Sequence, residues 1–381
     1  MFLRELHELT RRCFADGHRS AHTRVSSLPP AARSFCIFCQ SSVFSVALWQ
    51  VTVDSARWDL LAFGMHILVT GGAGFIGSHV CERLLGEGHS VWAFDDLNAF
   101  YDPQFKRRNL REVQALAKPF EFVHGDITDR AALDEVFSSV KFDQVIHLAA
   151  RAGVRSSLEQ PALYQRVNVE GTANVLDVAQ RAGVKKVILA SSSSVYGLNS
   201  KVPFSESDVI ASAISPYAAS KQACEALGHV WHHLYKMDVT MLRFFTVYGP
   251  RQRPDLAIYK FAKLICAGKP IPVFGDGAAA RDYTFVADIV DGVMACTKKE
   301  IGYEIFNLGE SETISLSRMI GLLESALGKK AIIDRQPMQP GDVPLTYANI
   351  SKAREKLGYN PQVKFEQGIK LFTEWFLKSE S

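Results

Sequence analysis

Hydrophobic and polar positions become regular only from Met65 onward. His66 to Thr70 is a short apolar run that passes directly into Gly71-Gly72-Ala73-Gly74-Phe75-Ile76-Gly77. Apolar residues at helical spacing then continue through Val80 and Leu85, which predicts a strand, a tight turn and a helix. Further short apolar runs at Val91–Phe94, Glu121–His124, Gln144–His147, Lys186–Ala190 and Val239–Phe244 predict strands, with helical stretches between them. Amphipathic helical stretches are expected at Ala162–Arg181 and Tyr217–Tyr235. Strands alternating with helices make a parallel sheet covered on both faces, so the expected class is α/β and doubly wound.

Residues 1–64 do not share this pattern. They contain no lysine, seven arginines and three of the chain's seven cysteines. Their most apolar stretch, Ser42 to Gly64, is interrupted by Asp54, Arg57 and Asp59, which makes it a poor membrane helix. No apolar core follows Arg4, so a secretory signal is not expected. Cys36 and Cys39 form a CxxC pair, but no second CxxC or CxxH lies nearby, and no metal site is expected. Met65 stands two residues before Ile67-Leu68-Val69, and the expectation is that it is the true start and that 1–64 is an extension.

Composition narrows the function classes. In 381 residues, 47% hydrophobic and 22% charged, the formal net charge is +3, so no field exists to hold nucleic acid or an anionic membrane. An odd cysteine count argues against a disulfide scaffold. A cytoplasmic enzyme with neither nucleic-acid nor membrane partners is expected. Lys260, Lys263 and Lys269 read as one solvated helix face, Gly275-Asp276-Gly277 as a turn, and Cys81, Cys224, Cys266 and Cys296 as helix packing residues.

Two constellations carry chemistry. Gly71, Gly74 and Gly77 form GxxGxxG, which permits a tight turn and lets backbone N–H groups meet a pyrophosphate at a helix N-terminus. Asp95 ends the second strand, 18 residues after Gly77, where an acid accepts hydrogen bonds from ribose hydroxyls and repels a 2′-phosphate. This favours NAD as cofactor and a Rossmann-type sheet. The second constellation is Ala190-Ser191-Ser192-Ser193-Ser194-Val195-Tyr196-Gly197, followed by Ser215-Pro216-Tyr217-Ala218-Ala219-Ser220-Lys221. Tyr217 and Lys221 share one helical face. A free phenol keeps its proton at neutral pH, and a neighbouring ammonium and a cationic nicotinamide both favour the phenolate. A catalytic tyrosine base with a lysine beside it is the expected chemistry.

On these motifs the chain resembles the extended short-chain dehydrogenase/reductases, and among them the nucleotide-sugar epimerases, over Met65 to about Phe376. The resemblance also rests on Gly125-Asp126-Ile127 and Leu148-Ala149-Ala150. It implies that Asp126 and Ile127 border adenine and that Gly71, Gly74, Phe75, Ile76, Gly77, Leu148, Ala149, Ala150 and Phe244 line the cofactor, with Asp95, Tyr217 and Lys221. It implies that Ser192 takes the catalytic Ser/Thr place beside Tyr217 and Lys221. The NAD-binding domain is expected at 65–245, with a return segment at about 281–309. A nucleotide-sugar domain is expected from 246–280 and 310–381, forming a smaller C-terminal α/β domain. A homodimer pairing the two amphipathic stretches across a two-fold axis is implied as well.

Within the family the chain resembles UDP-glucuronate 4-epimerases most. The residues are Ala152-Gly153-Val154-Arg155-Ser156, Arg243 to Asp255 (RFFTVYGPRQRPD) and Met338-Gln339-Pro340-Gly341-Asp342. The implied substrate is a UDP-sugar. Ser193, Ser194 and Thr246 offer hydroxyl donors to the sugar carboxylate, Arg253 and Arg281 serve the diphosphate, Arg155 faces the sugar or diphosphate, and Asp342 accepts from the uridine ribose. Related decarboxylases and 4,6-dehydratases carry acids just before the VYG, where Ser193 and Ser194 stand here. Two alternatives stay open: a UDP-glucose or UDP-N-acetylglucosamine 4-epimerase or UDP-glucuronate decarboxylase, and a non-catalytic NAD-binding regulator. Intact Ser192, Tyr217 and Lys221 weigh against the regulator.

Overall fold

The computed structural model describes residues 64–210, 212–337, 343 and 345–380. The CxxC pair and Asp342 lie outside the described residues. From His66 the chain forms β1 (His66–Thr70), α1 (Phe75–Gly86), β2 (Ser90–Asp95), α2 (Pro103–Gln114), β3 (Phe120–His124), α3 (Arg130–Ser139) and β4 (Gln144–His147). Next come α4 (Val154–Glu159), short turns at Pro161–Tyr164 and Gln165–Glu170, α5 (Gly171–Arg181), β5 (Lys186–Ser192), α6 (Pro216–Tyr235), β6 (Asp238–Phe244) and β7 (Thr246–Tyr248). The remainder is α7 (Ala257–Cys266), β8 (Pro270–Phe274), β9 (Ala280–Arg281), β10 (Tyr283–Phe285), α8 (Val286–Thr297), β11 (Tyr303–Leu308), β12 (Ile314–Ser315), α9 (Leu316–Leu327), β13 (Ile332–Gln336), α10 (Ser351–Leu357) and α11 (Phe365–Glu380).

The central sheet has seven strands in the order β11-β6-β5-β4-β1-β2-β3, and every neighbouring pair is parallel. Its strands are buried on both faces, which explains their nearly continuous apolar runs. Along β1, Ile67 and Val69 join one core and Leu68 the opposite one, as a side-chain period of two requires. The order reverses between β1 and β4, which leaves a crevice beyond the carboxyl ends of these strands. β11, from the segment after Arg281, extends the sheet beyond β6. The smaller C-terminal part carries the parallel pair β8/β13 and the antiparallel pair β9/β12, with α9 packed against both α7 and α11.

Two elements differ from the sequence pattern. β5 runs on through Ser191 and Ser192, which pair with Arg243 and Phe244 of β6. Serine is no strong strand former, and here tertiary pairing overrides local preference. The stretch Ala162–Arg181 is not one helix but is interrupted by a π-helical turn at Gln165–Glu170. Asn168 in that turn is buried, accepting from the Arg151 N–H at 2.8 Å and donating to the Arg151 carbonyl at 3.0 Å and to Ser220 Oγ at 2.9 Å. Gly275-Asp276-Gly277 forms the expected turn; Lys260 and Lys263 are exposed on α7, whereas Lys269, also exposed, lies beyond the end of that helix rather than on its face. Cys81, Cys224 and Cys296 are buried in helices, and Cys266, at the end of α7, is half-buried.

Strand-to-helix packing at β1 needs a bare backbone. Gly71 has φ 71°, a left-handed conformation, and its N–H donates to the Phe94 carbonyl at 2.7 Å. A Cβ on Gly77 would lie 2.1 Å from the Gly71 carbonyl oxygen, whereas one on Gly86, in the last turn of α1, would meet nothing within 4 Å. Gly77→Ala is therefore expected to lower stability by about 1–3 kcal/mol through overpacking. Gly86→Ala, in the same helix, is expected to raise it by up to about 1 kcal/mol. Calorimetric midpoints of the two variants check this pair; equal shifts would contradict it.

Candidate active site

A cleft of about 470 Å³ opens beyond the carboxyl ends of the strands, a volume in the ordinary range for a small-molecule site. The glycine turn forms its base. Helix α1 starts at Gly74 with no side-chain cap and no acid in its first turn, so its first N–H groups and its positive dipole end face an incoming anion. Asp95 closes β2 and is buried; its carboxylate accepts from the Ala73 N–H at 3.3 Å, the Leu97 N–H at 2.9 Å and Lys106 Nζ at 3.0 Å. Asp96, alongside, is half-buried. Burial raises its pKa, but hydrogen bonds from Asn98 and the charges of Lys106 and Arg151 outweigh this and hold the carboxyl below its usual range.

On the opposite side β5 and α6 supply the polar groups. Ser215 caps α6 by accepting from the Ala218 N–H at 3.1 Å, and Pro216 follows at the first helical position, which fixes Tyr217 in the first turn. The Tyr217 ring is half-buried and packs edge-on against Tyr164, centroids 6.2 Å apart. One turn later Lys221 is buried and donates to the Ala190 carbonyl at 2.7 Å. Ser192 Oγ donates to Ser194 Oγ and accepts from the Ser194 N–H, both at 3.2 Å.

The cleft gathers Gly71, Gly74, Phe75, Ile76, Gly77, Asp95, Asp126, Ile127, Leu148, Ala149, Ala150, Ser192, Ser193, Ser194, Tyr217, Lys221, Phe244, Thr246 and Arg253 in one lining. Arg253 forms a two-pronged contact with Asp255, at 2.9 and 2.6 Å, and lies over the Phe100 ring. Burial works against its charge, but the Asp255 hydrogen bonds prevail and raise its pKa. Arg281 is placed elsewhere. It lines a smaller cavity of about 160 Å³ that shares Val154, Ser193, Ser194 and Thr246 with the cleft, so the two arginines expected to act together line different chambers. Arg155 lines neither; its guanidinium stacks on the Phe274 ring at 4.5 Å.

Sequence reasoning missed Lys106, Arg151 and Asn109. In α2 the buried positions are Lys106, Asn109, Leu110 and Val113, the stripe of an amphipathic helix. Polar residues on an apolar stripe were the available signal. Lys106 reaches both Asp95 and Asp96, and Asn109 donates to the Ala73 carbonyl at 3.0 Å, bracing the glycine turn. Arg151 lies 3.7 Å from Asp96, immediately after the Leu148-Ala149-Ala150 edge.

Comparison with known proteins shows the family of the chain. The sequence profile described as GDP-mannose 4,6 dehydratase matches residues 68–372. The chain belongs to this family, within the extended short-chain dehydrogenase/reductases. A UDP-glucuronate 4-epimerase of Thermodesulfobacterium geofontis is 45% identical over 311 residues, covering 81% of this chain and 95% of that protein. Among solved structures, this short-chain dehydrogenase/reductase resembles the UDP-glucuronic acid 4-epimerase of Bacillus cereus in complex with UDP-glucuronic acid and NAD. The TM-score is 0.78 at 35% identity, over 83% of this chain and all of that one (100%). It also resembles the UDP-glucose 4-epimerase of Thermotoga maritima with UDP-glucose, with TM-score 0.77 at 34% identity over 83% and 100% of the two chains. No helix among the described residues is long and apolar enough to cross a membrane.

Behind the Leu148 edge, His147 is buried between two hydroxyls, Thr70 Oγ1 at 2.7 Å and Thr172 Oγ1 at 3.0 Å. Burial, with the Lys221 charge added, pushes its pKa down to about 3. The unfolded chain takes up this proton near pH 6.5 and the folded one only near pH 3. Its contribution to stability is therefore present above pH 6.5 and is lost as the pH falls towards 3, by about 1 kcal/mol per pH unit. His147→Gln is expected to lower the midpoint at neutral pH and to flatten the dependence of stability on pH between 6.5 and 4; parallel curves for variant and parent would contradict this.

Proposed function

We propose that this protein is an NAD-dependent 4-epimerase that interconverts UDP-glucuronate and UDP-galacturonate. The observation that carries the reading is the single cleft in which the glycine turn and Asp95 face Ser192, Tyr217 and Lys221, with Ser193, Ser194, Thr246 and Arg253 on the same lining. The uncapped N-terminus of α1 suits a diphosphate, and the Asp95 carboxylate suits ribose hydroxyls, which supports NAD as the cofactor. We assign 65–245 and 281–309 to the dinucleotide and 246–280 and 310–381 to the nucleotide sugar.

The chain's own groups account for proton handling and orientation. Tyr217 takes the proton from the sugar 4-hydroxyl, with Ser192 hydrogen-bonded to that hydroxyl and Lys221 one helical turn behind it, held by the Ala190 carbonyl. The glycine turn, Asp95 and Lys221 would hold NAD, which would supply a hydride acceptor for carbon 4 and, once reduced, a hydride donor to the other face of the resulting 4-keto sugar, with no net redox change. Tyr217 gives the proton back in the second half. For glucuronate the 4-keto species is a β-keto acid, which loses carbon dioxide readily. Hydroxyls of Ser193, Ser194 and Thr246 hold the carboxylate by hydrogen bonds and restrain that loss. No acid stands beside Ser192 in the 193–194 positions to expel the 6-hydroxyl, which weighs against a dehydratase. Arg253 and Arg281 meet the substrate's negative charge from separate chambers.

Val230, Leu234 and Tyr235 on α6 are 42%, 60% and 47% exposed, which supports a homodimer built on α6 and α5. Light scattering is expected to give twice the chain mass, and a single chain mass would refute the dimer.

The reaction is tested by proton NMR of UDP-glucuronate incubated with the purified protein. UDP-galacturonate is expected without added NAD. UDP-xylose or a 4-keto pentose would make the protein a decarboxylase, and turnover of UDP-glucose alone would make it a hexose epimerase. Tyr217→Phe is expected to keep its NAD and to lose about 10²–10⁴-fold in kcat.

A further inference from the structure

Helix α6 presents Tyr217, Lys221 and Glu225 at intervals of four, on one face. Each of the last two reaches the end of β5. Lys221 donates to the Ala190 carbonyl at 2.7 Å, and Glu225 Oε1 accepts from the Ser191 hydroxyl at 2.6 Å. Consecutive residues of β5 are thus tied to consecutive turns of α6, and the next residue is Ser192. Glu225 is in turn held by Arg243 of β6, whose Nε and Nη2 donate to its two carboxylate oxygens, both at 2.8 Å.

The same ion pair reaches beyond Ser192. The Arg243 guanidinium lies over the Tyr196 ring, 4.8 Å from its centroid. Tyr196 ends the short 3₁₀ turn Ser193–Tyr196, and its hydroxyl donates to Asn307 Oδ1 at 2.7 Å. Asn307 donates onward to the carbonyls of Phe204 and Asn349. The Ser192–Ser194 segment is therefore gripped on both sides: before it by Ser191 on Glu225, and after it by Tyr196 on Arg243. Ser191, Glu225 and Arg243 are all nearly inaccessible to water, at 3%, 4% and 2% exposure. None of them lines the second cavity, and of the three only Ser191 lines the cleft.

A buried ion pair is a poor way to gain stability, since well-packed apolar groups of the same volume do as well or better. What it gives is direction: a bidentate guanidinium–carboxylate contact fixes distance and angle together. We propose that the buried Glu225–Arg243 pair, with Ser191, is a positioning device that sets Ser192 against Tyr217. These three are positioning residues; none of them meets the reacting atoms. The inference rests on the epimerase reading for its kinetic readout only.

The test uses the full chain with its bound cofactor. Ser191→Ala removes the strut, and Ser191→Cys keeps nearly the same volume but offers only a weak S–H donor. Both are expected to lower kcat by about 10–100-fold. KM for UDP-glucuronate and the NAD content are expected to stay within about twofold, because neither is set by the alignment of Ser192 with Tyr217. Arg243→Lys keeps the charge and loses the fork, and is expected to behave like the serine variants if it folds. A packing role predicts parent kcat in Ser191→Cys, and parent kcat in both serine variants overturns the proposal. So does a loss of kcat matched by an equal loss of NAD content, which marks unfolding. If the parent does not turn over UDP-glucuronate, the Tyr217 ring carbon resonance, assigned by its absence in Tyr217→Phe, replaces kcat. A changed resonance in both serine variants then upholds the positioning role while the epimerase reading fails, and an unchanged one overturns the positioning role as well.

Discussion

How far β5 remains a strand decides where the hydroxyl groups of the cleft stand. Its backbone stays paired with β6 through Ser192, so the position of that serine is fixed by inter-strand hydrogen bonds rather than by a loop. Only after Ser192 does the chain turn into the short 3₁₀ segment that carries Ser193 and Ser194. Helix α6, begun by Ser215 and Pro216, lays Tyr217 and Lys221 against this end of the strand. The glycine turn approaches from β1, on the other side of β4. Extended backbone, helix N-terminus and serine turn are thereby brought within one cleft by a sheet whose order reverses between β1 and β4.

Much of this was legible because it is local. GxxGxxG, the acid at the end of the next strand and the Tyr217–Lys221 spacing each reflect a geometry of a few consecutive residues. They need only a strand, a turn or one helical face to be read. The doubly wound sheet followed from strands alternating with helices in the same way.

What escaped the sequence depends on partners far apart along the chain. Glu225 and Arg243 look like unremarkable charges on a helix and a strand until β6 places one against the other. Asn168 sits in the π-helical turn with its amide held by Arg151 and Ser220, neither of which is near it in the chain. Lys106 reaches back from α2 to Asp95 at the end of β2, and its position on a buried stripe was the one local trace. Ser191 and Ser192 read as loop because serine has little strand preference, and only pairing with β6 settles the matter. The separation of Arg253 from Arg281 into two chambers was likewise beyond any motif, since each was read from its own segment.

The two chambers share part of their lining. Val154, Ser193, Ser194 and Thr246 face both, whereas Ser192, Tyr217 and Lys221 face only the larger. The wall between the chambers is therefore built from other side chains than Ser192, Tyr217 and Lys221. On the function proposed above, a smaller side chain at Val154 or Thr246 would open one chamber to the other and leave the Ser192–Ser194 hydrogen bonds intact.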